Sequence, residues 1–287
     1  MRIALVGVGA IGGALAGFLE TAGGHEITLC TRRPLPQLTV TSPSAVLNIK
    51  AANLTRPGEA GPVDWVIVAT KTYDAEGAAA WLPALYASGA PVAVVQNGVE
   101  HRERFLPWVP AERLLPVIID CPVERRADGD IHVRGAATIK TEEAELGRSF
   151  ASLFAGSPVQ IDLTPELITA AWSKLCINCA GALCALTQKP SGVLRTDAMS
   201  RILLDMVQEC IAVGRAEGAH LDDAIAQSVL GHYRRQPADS VNSLLADRLA
   251  SRRMEVDARN GVIVRKGEKH GIPTPLNRMT VALLEAV

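Results

Sequence analysis

The sequence predicts an α/β protein in which a mostly parallel sheet, with helices on both faces, is followed by an all-helical C-terminal domain. Residues 2–6 are a short apolar run that ends in glycines, residues 10–22 are rich in alanine and leucine, and residues 25–31 alternate apolar and polar side chains. This succession is typical of a strand, a helix and a second strand, which together make one βαβ unit. After Pro165 the pattern becomes helical almost to the end of the chain. The first half is therefore predicted to be a Rossmann-type domain.

The rest of the first half predicts further strands of the same sheet. Residues 65–69 and 91–95 are apolar runs, as expected for buried parallel strands. The remaining predicted segments are short strands and loops over 33–62, a helix over 75–86, a meander at the sheet edge over 114–141 broken by Asp128 and Gly129, a helix over 142–155 and a strand over 158–163.

The second half contains long periodic stretches over residues 166–187, 197–217 and 240–270. A chain of 287 residues is long enough for two domains of ordinary size, so we expect one over 1–165 and a second over 166–287. The long helices could form a homodimer interface or pack within their own domain, and the sequence leaves both open.

Composition excludes several classes of function. Apolar residues make up 48% of the chain, charged residues 21%, and the net charge is -1, so nucleic acid is not an expected partner. No run of 18 apolar residues is present and the first residues do not resemble a signal peptide, so no membrane partner is expected. The six dispersed cysteines favour reduced thiols in a cytoplasm. The six histidines form no metal-like cluster, so we expect no metal.

A glycine-rich loop over residues 7–12 matches G-x-G-x-x-G between the first strand and the first helix. In such a loop Gly7 allows the tight turn, Gly9 lets the backbone approach a pyrophosphate, and Gly12 lets the helix pack on the strand. The N-terminus of the helix adds free N–H groups for the anion. The alternative is a turn without a ligand, but the register of strand, helix and strand favours a dinucleotide site. Its predicted residues are Gly7, Val8, Gly9, Ala10, Ile11 and Gly12.

The end of the second predicted strand indicates which dinucleotide binds. It reads Thr31-Arg32-Arg33, where proteins that prefer NAD usually carry Asp or Glu for the ribose hydroxyls. A guanidinium binds phosphate through a planar fork, so Arg32 suits the 2′-phosphate of NADP. The alternative is a pair of solvated arginines. We predict NADP as the cofactor.

Four further segments, together with the glycine loop, resemble the ketopantoate reductase (2-dehydropantoate 2-reductase) family. They occur in the right order across nearly the whole chain, in both predicted domains. They are Lys71-Thr72-Tyr73-Asp74, Gln96-Asn97-Gly98-Val99, Trp172-Ser173-Lys174 with Asn178, and the stretch from Ser251 to Gly261 around Glu255, followed by Gly271-Ile272-Pro273-Thr274-Pro275-Leu276-Asn277.

The resemblance implies NADPH-dependent reduction of a small 2-oxo acid to its 2-hydroxy acid, with ketopantoate as the leading substrate. It also implies a place in pantothenate biosynthesis and a second half like the C-terminal domain of 6-phosphogluconate dehydrogenase. The implied roles are proton donor for Lys174, a place near it and the cofactor for Glu255, nicotinamide ribose and substrate binding for Asn97, cofactor binding for Lys71, and substrate binding for Asn178 and Ser243.

These implied roles agree with the chemistry. Hydride transfer to a ketone carbon places negative charge on its oxygen, and a lysine can stabilise that charge and then donate a proton. Burial would lower the pKa of Lys174, whereas a neighbouring Glu255 would orient the lysine and oppose that shift. Lys174 and Asn178 are four residues apart on a predicted helix, so they share one face.

Each of these residues also has a purely structural interpretation. Lys174 could be a solvated charge, since lysines on helices usually are. The other interpretations are a surface ion pair of Glu255 with Arg252 or Arg259, a turn-forming Asn97 before Gly98, a strand-end charge at Lys71 and a helix-surface hydroxyl at Ser243.

One position departs from the family pattern. The family commonly repeats an asparagine four residues after the position of Asn178, within Asn-x-Leu-Thr, whereas this chain has Ala182-Leu183-Cys184. A substrate hydroxyl would lose a partner there, at a cost of roughly 1 to 3 kcal/mol. A related dehydrogenase acting on a different hydroxy acid or oxo compound is therefore an alternative, and a catalytically silent NADP sensor is another.

The pair Cys176 and Cys179 forms a C-x-x-C pattern inside a predicted helix. Redox-active pairs of the thioredoxin type begin a helix after a strand, and a single pair is weak support for zinc. We expect these cysteines to be small packing residues. A thiol-disulfide protein remains the most distant alternative.

Overall fold

The computed structural model describes residues 1–126 and 129–287; the predicted break at Asp128 lies outside the described residues. The strands are β1 Arg2–Val6, β2 Glu26–Cys30, β3 Thr39–Thr41, β4 Val46–Asn48, β5 Ala51–Leu54, β6 Trp65–Val68, β7 Val92–Val94, β8 Leu114–Pro116, β9 Ile118–Asp120, β10 Val123–Arg125, β11 Ile131–Val133, β12 Thr138–Glu142 and β13 Gln160–Thr164. The α-helices are α1 Ala10–Ala22, α2 Ala75–Ala79, α3 Leu82–Leu85, α4 His101–Phe105, α5 Glu145–Ser152, α6 Leu167–Ala180, α7 Ala182–Thr187, α8 Asp197–Ala216, α9 Ala224–Arg235, α10 Ser243–Leu249, α11 Val262–His270 and α12 Pro275–Glu285.

The chain divides into two compact units. Unit 1 consists of Met1–Gln96 and Glu100–Leu167, and unit 2 consists of Asn97–Val99 and Ile168–Val287. The three residues 97–99 thus belong with the helical part of the chain although they lie far from it in sequence.

Unit 1 is built on a six-stranded parallel sheet in the order β5-β2-β1-β6-β7-β8. Side chains of β1 alternate between two cores, with Ile3 and Leu5 in one and Ala4 and Val6 in the other. Both faces of the sheet are therefore buried, as β-branched and aliphatic runs in parallel strands require. The predicted Rossmann-type sheet is confirmed.

The order of the strands reverses at β1, whose neighbours are β2 on one side and β6 on the other. In open α/β sheets, ligands bind beyond the carboxyl ends of the strands at such a switch point. Gly7 follows β1 there, and the backbone N–H of Ala69, after β6, donates to the carbonyl of Val6. The glycine loop therefore lies where this fold binds nucleotides.

The prediction of a meander at the sheet edge over 114–141 is wrong, because the strands of this segment pair with partners in three different sheets. β8 extends the main sheet in parallel, β12 pairs with β9 and β13 in a three-stranded sheet, and β10 and β11 join β3 and β4 in another. Strand propensity is local, whereas the choice of partner depends on segments far away in the chain.

The sheet containing β11 and β3 packs on α1 through glycines of that helix. A Cβ at Gly17 would lie 2.8 Å from Cγ1 of Val40, and one at Gly13 would collide with Ile131. Small residues on this face of α1 let the second sheet approach its backbone.

The predicted helix over 75–86 is interrupted. It forms α2 and α3, separated by Ala80 and Trp81, with Pro83 in the first turn of α3. Proline has no N–H to donate to the preceding turn, so it starts a new helix more readily than it continues one.

Unit 2 is helical around a core that includes Trp172, Cys176, Met206 and Val262. The segment Leu167–Thr187 has a mean hydropathy of 1.4 and is long and apolar enough to cross a membrane by length and composition. The segment is not an uninterrupted apolar run, since it contains Ser173, Lys174 and Asn178, but a mean over 18 residues tolerates them. A share of 56% of that window is buried inside the protein, as expected for a core helix.

The α8 and α11 helices are joined by an ion cluster around Glu217. Its carboxylate accepts hydrogen bonds from Lys266 Nζ at 2.6 Å, Lys269 Nζ at 2.9 Å and His270 Nε2 at 2.5 Å. Burial raises the pKa of Glu217, but hydrogen bonds from Lys266, His270 and Lys269 outweigh it and lower the pKa to about 2.

Because the folded pKa lies below the ordinary value of 4.5, the stability that Glu217 contributes is present above pH 4.5 and is lost as the pH falls toward 2. We expect Glu217→Gln to lower the free energy of unfolding at pH 7 by roughly 1 to 3 kcal/mol and to flatten its decline in that acid range. Urea unfolding at several pH values measures both.

Glu268→Gln is the control, since Glu268 and its partner Arg278 are both more than half exposed. It should change stability by less than about 1 kcal/mol. Identical acid slopes for wild type and Glu217→Gln would contradict the assignment.

Candidate active site

The three glycines of the loop occupy three different environments. Gly7 has φ of +93°, and a Cβ there would lie 2.6 Å from Cγ2 of Thr70. A Cβ at Gly12 would collide with the carbonyl oxygen of Gly7, so α1 approaches the loop as closely as glycine permits. A Cβ at Gly9 would meet nothing within 4 Å. Gly7 and Gly12 are thus required by the fold, whereas the bare backbone at Gly9 faces open space.

The N-terminus of α1 is suited to an anion. Gly9 is the N-cap and supplies no side-chain acceptor, and the first turn contains no acidic residue. The loop residues Val8, Ala10 and Ile11 carry no charge. The N–H groups of this first turn and the helix dipole therefore fit a pyrophosphate.

Arg32 follows β2 with its side chain 86% exposed, and its Nη1 lies 3.5 Å from Oδ1 of Asp74. At this distance the contact is weak, so the guanidinium can turn to a phosphate. Asn53 Nδ2 donates to Oγ1 of Thr31 at 2.8 Å, so the side chain that bonds the last residue before Arg32 is an amide.

Two further cationic side chains, Lys71 and Arg125, belong to residues that contact the loop or follow a residue that does. Lys71 is half-buried directly after Thr70, the residue against which Gly7 packs. Arg125, which the sequence did not indicate, donates from Nη1 to the carbonyl of Val8 at 2.9 Å. Arg125 comes from a strand of another sheet, so only tertiary pairing brings it to the loop.

Gln96, at the carboxyl end of β7, is held by hydrogen bonds. Its Nε2 donates to O and Oγ1 of Thr70 at 3.1 and 3.0 Å, and its Oε1 accepts from Arg104 Nη1 at 3.1 Å. This network immobilises the residue that precedes Asn97 in the chain.

In unit 2, Asn97 Nδ2 donates to Oε2 of Glu255 at 3.0 Å. Glu255 is only 3% exposed. The alternative of a surface ion pair with Arg252 or Arg259 does not hold, because Glu255 is buried, Arg252 pairs with Asp247 and Arg259 donates to Ser243. Two of the segments that predicted the family are thus in direct contact.

The Asn97-Gly98 turn packs against a π-helical turn, Asp257–Gly261. Gly98 has φ of +92°, and a Cβ there would lie 2.7 Å from the carbonyl oxygen of Ala258. Any side chain at this position would push the turn away from Glu255, so glycine is needed beside Asn97.

The α6 helix carries a half-buried stripe formed by Ser173, Lys174, Ile177 and Asn178, between neighbours that are buried. Lys174 and Asn178 share this face, as their spacing predicts. The stripe leaves the ammonium-bearing Lys174 and the amide of Asn178 partly exposed on one face of α6.

The beginning of α10 is tied to the end of α6. Asn242 Nδ2 donates to the carbonyl of Gly181 at 3.0 Å, and Tyr233 Oη donates to the carbonyl of Ile177 at 2.8 Å. Ser243, the first residue of α10, is exposed and accepts from Arg259 Nη2 at 2.7 Å. From the sequence, Arg259 was expected only as a possible surface ion-pair partner of Glu255. Nothing in its spacing indicated that its side chain is buried and bonded to Ser243.

Ala182 is fully buried and belongs to an apolar cluster with Ala185, Leu244, Val256 and Leu284. The methyl group therefore fills a packed apolar position where the family carries an amide. No described side chain of that cluster offers a hydrogen bond in its place.

The cysteines Cys176, Cys179 and Cys210 are buried in the core of unit 2, and none of the six cysteines, all of which lie in the described residues, forms a disulfide bond. Cys176 Sγ lies 3.6 Å from Cys210 Sγ, and Cys179 Sγ contacts the carbonyl of Cys176 at 3.3 Å. Burial, reinforced by the two neighbouring thiols, raises the pKa of Cys210 well above its ordinary value. Thiol exchange needs an accessible thiolate, so the geometry favours packing. Within residues 1–126 and 129–287 no cluster of His, Cys, Asp or Glu is placed to hold a metal ion.

The parallel sheet with its glycine loop, together with a helical unit that carries a buried carboxylate and a half-buried lysine, defines a Rossmann-fold oxidoreductase. The family models for ketopantoate reductase PanE/ApbA and for its C-terminal region match residues 3–145 and 166–287.

Individual relatives extend over the whole chain. A protein of Caulobacter vibrioides named 2-dehydropantoate 2-reductase is 45% identical over 284 residues, covering 99% of this chain and 98% of the relative. One of the same name from Mycobacterium tuberculosis is 38% identical over 286 residues, covering 99% and 97%. The crystal structure of a PanE/ApbA family ketopantoate reductase from Ralstonia eutropha JMP134 superimposes with a TM-score of 0.89 at 32% identity, covering 100% and 98%.

The chain therefore belongs to the ketopantoate reductase family, a family of NAD(P)-dependent oxidoreductases. The family predicted from the sequence is confirmed.

The contrast between Gly9 and Gly12 is testable. Gly9→Ala places a methyl group in open space, so we expect unchanged thermal stability but at least about tenfold weaker dinucleotide binding, because the backbone can no longer approach the pyrophosphate. Gly12→Ala should instead lower the melting temperature. Melting curves measure the stability, and fluorescence titration with reduced dinucleotide measures the binding. Unchanged dinucleotide affinity of Gly9→Ala would contradict the assignment of the pyrophosphate site to this loop.

Proposed function

We propose that this protein catalyses the NADPH-dependent reduction of a small 2-oxo acid to a 2-hydroxy acid, with ketopantoate to pantoate as the leading reaction. The observation that carries the proposal is the hydrogen bond between Asn97 and the buried Glu255. It joins two segments on which the family resemblance rests. The names of the relatives at 45% and 38% identity support the same substrate.

The preference for NADP rests on Arg32. Its guanidinium is exposed after β2, where the strand end carries Thr31 and Asn53 in place of the Asp or Glu usual for NAD, and its contact with Asp74 is long at 3.5 Å. Lys71 is proposed to bind the cofactor as well. Residues Gly7, Val8, Gly9, Ala10, Ile11 and Gly12 would hold the pyrophosphate at the start of α1, and residues 1–165 would form the NADP-binding domain.

Residues 166–287 would form the domain that binds and protonates the substrate. The bound cofactor supplies a hydride to the carbonyl carbon. Lys174, on the half-buried stripe of α6, would stabilise the developing oxyanion and donate its Nζ proton to that oxygen.

Glu255 would orient the catalytic groups from its buried position. Its Oε2 accepts from Asn97, whose other amide atom remains able to contact the nicotinamide ribose or substrate. Asn178 and Ser243 would hold the substrate. We further propose a cytoplasmic location and a homodimeric state, which a measurement of the molecular mass in solution tests.

A second candidate substrate is another 2-oxo acid, and the observation that favours it is Ala182. Its methyl group packs in an apolar cluster and cannot bond a substrate hydroxyl. NADPH oxidation with a panel of 2-oxo acids that includes ketopantoate separates the two: fast turnover of ketopantoate alone selects the first, and turnover of only another acid selects the second.

Lys174→Ala tests the proton donor. We expect kcat to fall by about 100-fold or more, since general acid catalysis contributes 10²–10⁴-fold, while NADPH affinity stays within a factor of about three. Steady-state kinetics and fluorescence titration give the two quantities. Lys189→Ala, at an exposed position after α7, should leave both unchanged, and near-normal turnover by Lys174→Ala would refute the role.

Arg32→Ala tests the cofactor preference. Loss of a charged hydrogen bond to the 2′-phosphate should weaken NADPH by roughly 10- to 100-fold and leave NADH almost unaffected. Titration of both dinucleotides measures this. Arg56→Ala, which removes a similarly exposed guanidinium paired with Glu59, serves as the control, and equal losses for NADPH and NADH would show that Arg32 does not contact the phosphate.

A further inference from the structure

Three cross-strand partners in the sheet β10-β11-β3-β4 form a row along α1. Val40 on β3 pairs with Ile131 on β11, which pairs with Arg125 on β10. Val40 packs where a Cβ of Gly17 would lie, and Ile131 packs where a Cβ of Gly13 would lie. The row therefore follows the helix axis from Gly17 toward the glycine loop, with one strand for about each turn of the helix.

The same spacing places Arg125 at the N-terminus of α1. Neighbouring strands lie about 4.8 Å apart and four helical residues rise about 6 Å, so the third residue of the row belongs beside Gly9. The strand β10 is the edge of the sheet on that side, and it contacts α1. Nη1 of Arg125 donates to the carbonyl of Val8 at 2.9 Å, which agrees with this position.

The guanidinium of Arg125 keeps most of its donors unused. Arginine has five N–H donors, and within the described part of the chain the carbonyl of Val8 is the one acceptor that Arg125 bonds. The residue is exposed, and the neighbouring carboxylate of Glu124 contacts His132 instead. No carboxylate of residues 1–126 or 129–287 forms an ion pair with Arg125. A full positive charge with free donors therefore lies beside the glycine loop.

This charge lies at the positive end of a helix dipole. The helix α1, which is described throughout, has no acidic residue in its first turn, and its N-cap Gly9 has no side chain. The dipole opposes a cation at a helix N-terminus and favours an anion there. Arg125 and α1 therefore both favour an anion at a loop which, in this fold, binds the pyrophosphate of a dinucleotide.

We infer that Arg125 is a second cofactor-binding arginine, which donates to a pyrophosphate oxygen of the dinucleotide while it keeps its hydrogen bond to the carbonyl of Val8. This inference rests on the proposed function and adds a residue to it. The two arginines then have different tasks. Arg32 distinguishes NADPH from NADH through the 2′-phosphate, whereas Arg125 strengthens the binding of both through the pyrophosphate that they share.

Titration of Arg125→Gln with NADPH and with NADH tests the inference. We expect both dissociation constants to rise by roughly 10- to 100-fold, because a charged hydrogen bond to a group common to both dinucleotides is lost. Their ratio should stay within about twofold of the wild-type ratio, whereas Arg32→Ala should change it. Arg125→Lys should recover part of the loss, since it restores the charge without the planar fork of arginine.

Arg126→Gln is the matched control. It removes the same charge from the next residue, which is exposed and whose Nη2 lies 2.8 Å from Nδ1 of His132. Both dissociation constants of this variant should stay within about twofold of wild type. Melting curves show whether each variant is folded.

Two phosphate fragments separate the two arginines. ADP carries a pyrophosphate without a 2′-phosphate, and adenosine 2′-phosphate carries a 2′-phosphate without a pyrophosphate. Displacement of bound NADPH should show that Arg125→Gln weakens ADP by at least about tenfold and leaves adenosine 2′-phosphate within about threefold of wild type. Arg32→Ala should show the opposite pattern.

The dependence on salt distinguishes a phosphate contact from a structural role through Val8. Screening weakens the attraction between solvent-accessible charges, so the difference in affinity between wild type and Arg125→Gln should shrink as salt rises from about 0.05 to about 0.5 M. If Arg125 only held the loop in place, the difference would be the same at both salt concentrations.

The outcomes separate the inference from the proposed function. Unchanged affinity of Arg125→Gln for both dinucleotides, a loss for NADPH alone, or a loss that does not depend on salt would each overturn the inference. So would a wild-type protein that binds neither dinucleotide. If wild type binds both dinucleotides with the expected dependence on Arg125 but reduces no 2-oxo acid, the proposed reaction fails and the inference stands.

Discussion

The close approach of α1 to the end of β1 is the constraint on which the nucleotide end of unit 1 depends. Gly12 lies against the carbonyl of Gly7, and Gly7 in turn lies against the backbone of Thr70 after β6. These contacts leave no room for a Cβ, so the N-terminus of α1 is held between the ends of two neighbouring strands. Because the N–H groups of a helix are directed along its axis, this position aims them beyond the sheet edge. Gly9, which has no such contact, leaves the backbone open to a ligand.

The helical unit buries several polar side chains. Because it contains no sheet, their hydrogen-bond partners come from other side chains and from helix carbonyl groups. Asn260 Nδ2 donates to the carbonyl of Cys179 at 3.3 Å and to Oδ1 of Asn277 at 2.9 Å, which joins the π-turn to α6 and α12. In the same segment Glu255 accepts from Asn97, Ala258 packs against Gly98, and Arg259 donates to Ser243. Buried polar groups of this kind cost free energy unless they are paired, so these hydrogen bonds stabilise the helical unit.

The two buried charges near this turn have different surroundings. Glu255 accepts from an amide, which orients the carboxylate without neutralising it. Arg259 donates to a hydroxyl that is itself exposed, so its charge acts at the protein surface through Ser243. The helical unit thus holds Glu255 and Arg259 within one short segment, 255–259.

The sequence by itself determined the features that depend on neighbours in the chain. The helix from Ala10 to Ala22, the strands on either side of it and the glycine positions follow from period, propensity and turn chemistry, and all are as predicted. The common face of Lys174 and Asn178 follows from helix geometry in the same way. The family segments located Asn97 and Glu255, although not their hydrogen bond.

Only the tertiary structure decided which distant segments meet. Strand propensity over 114–141 was correct, but the partners of β8 to β12 lie in three different sheets. Residues 97–99 join the helical unit, and Arg125 and Arg259 reach the glycine loop and Ser243 from segments with no pattern of their own. Local propensity is set by a few neighbouring residues, whereas pairing between segments depends on burial and hydrogen bonding summed over the folded chain.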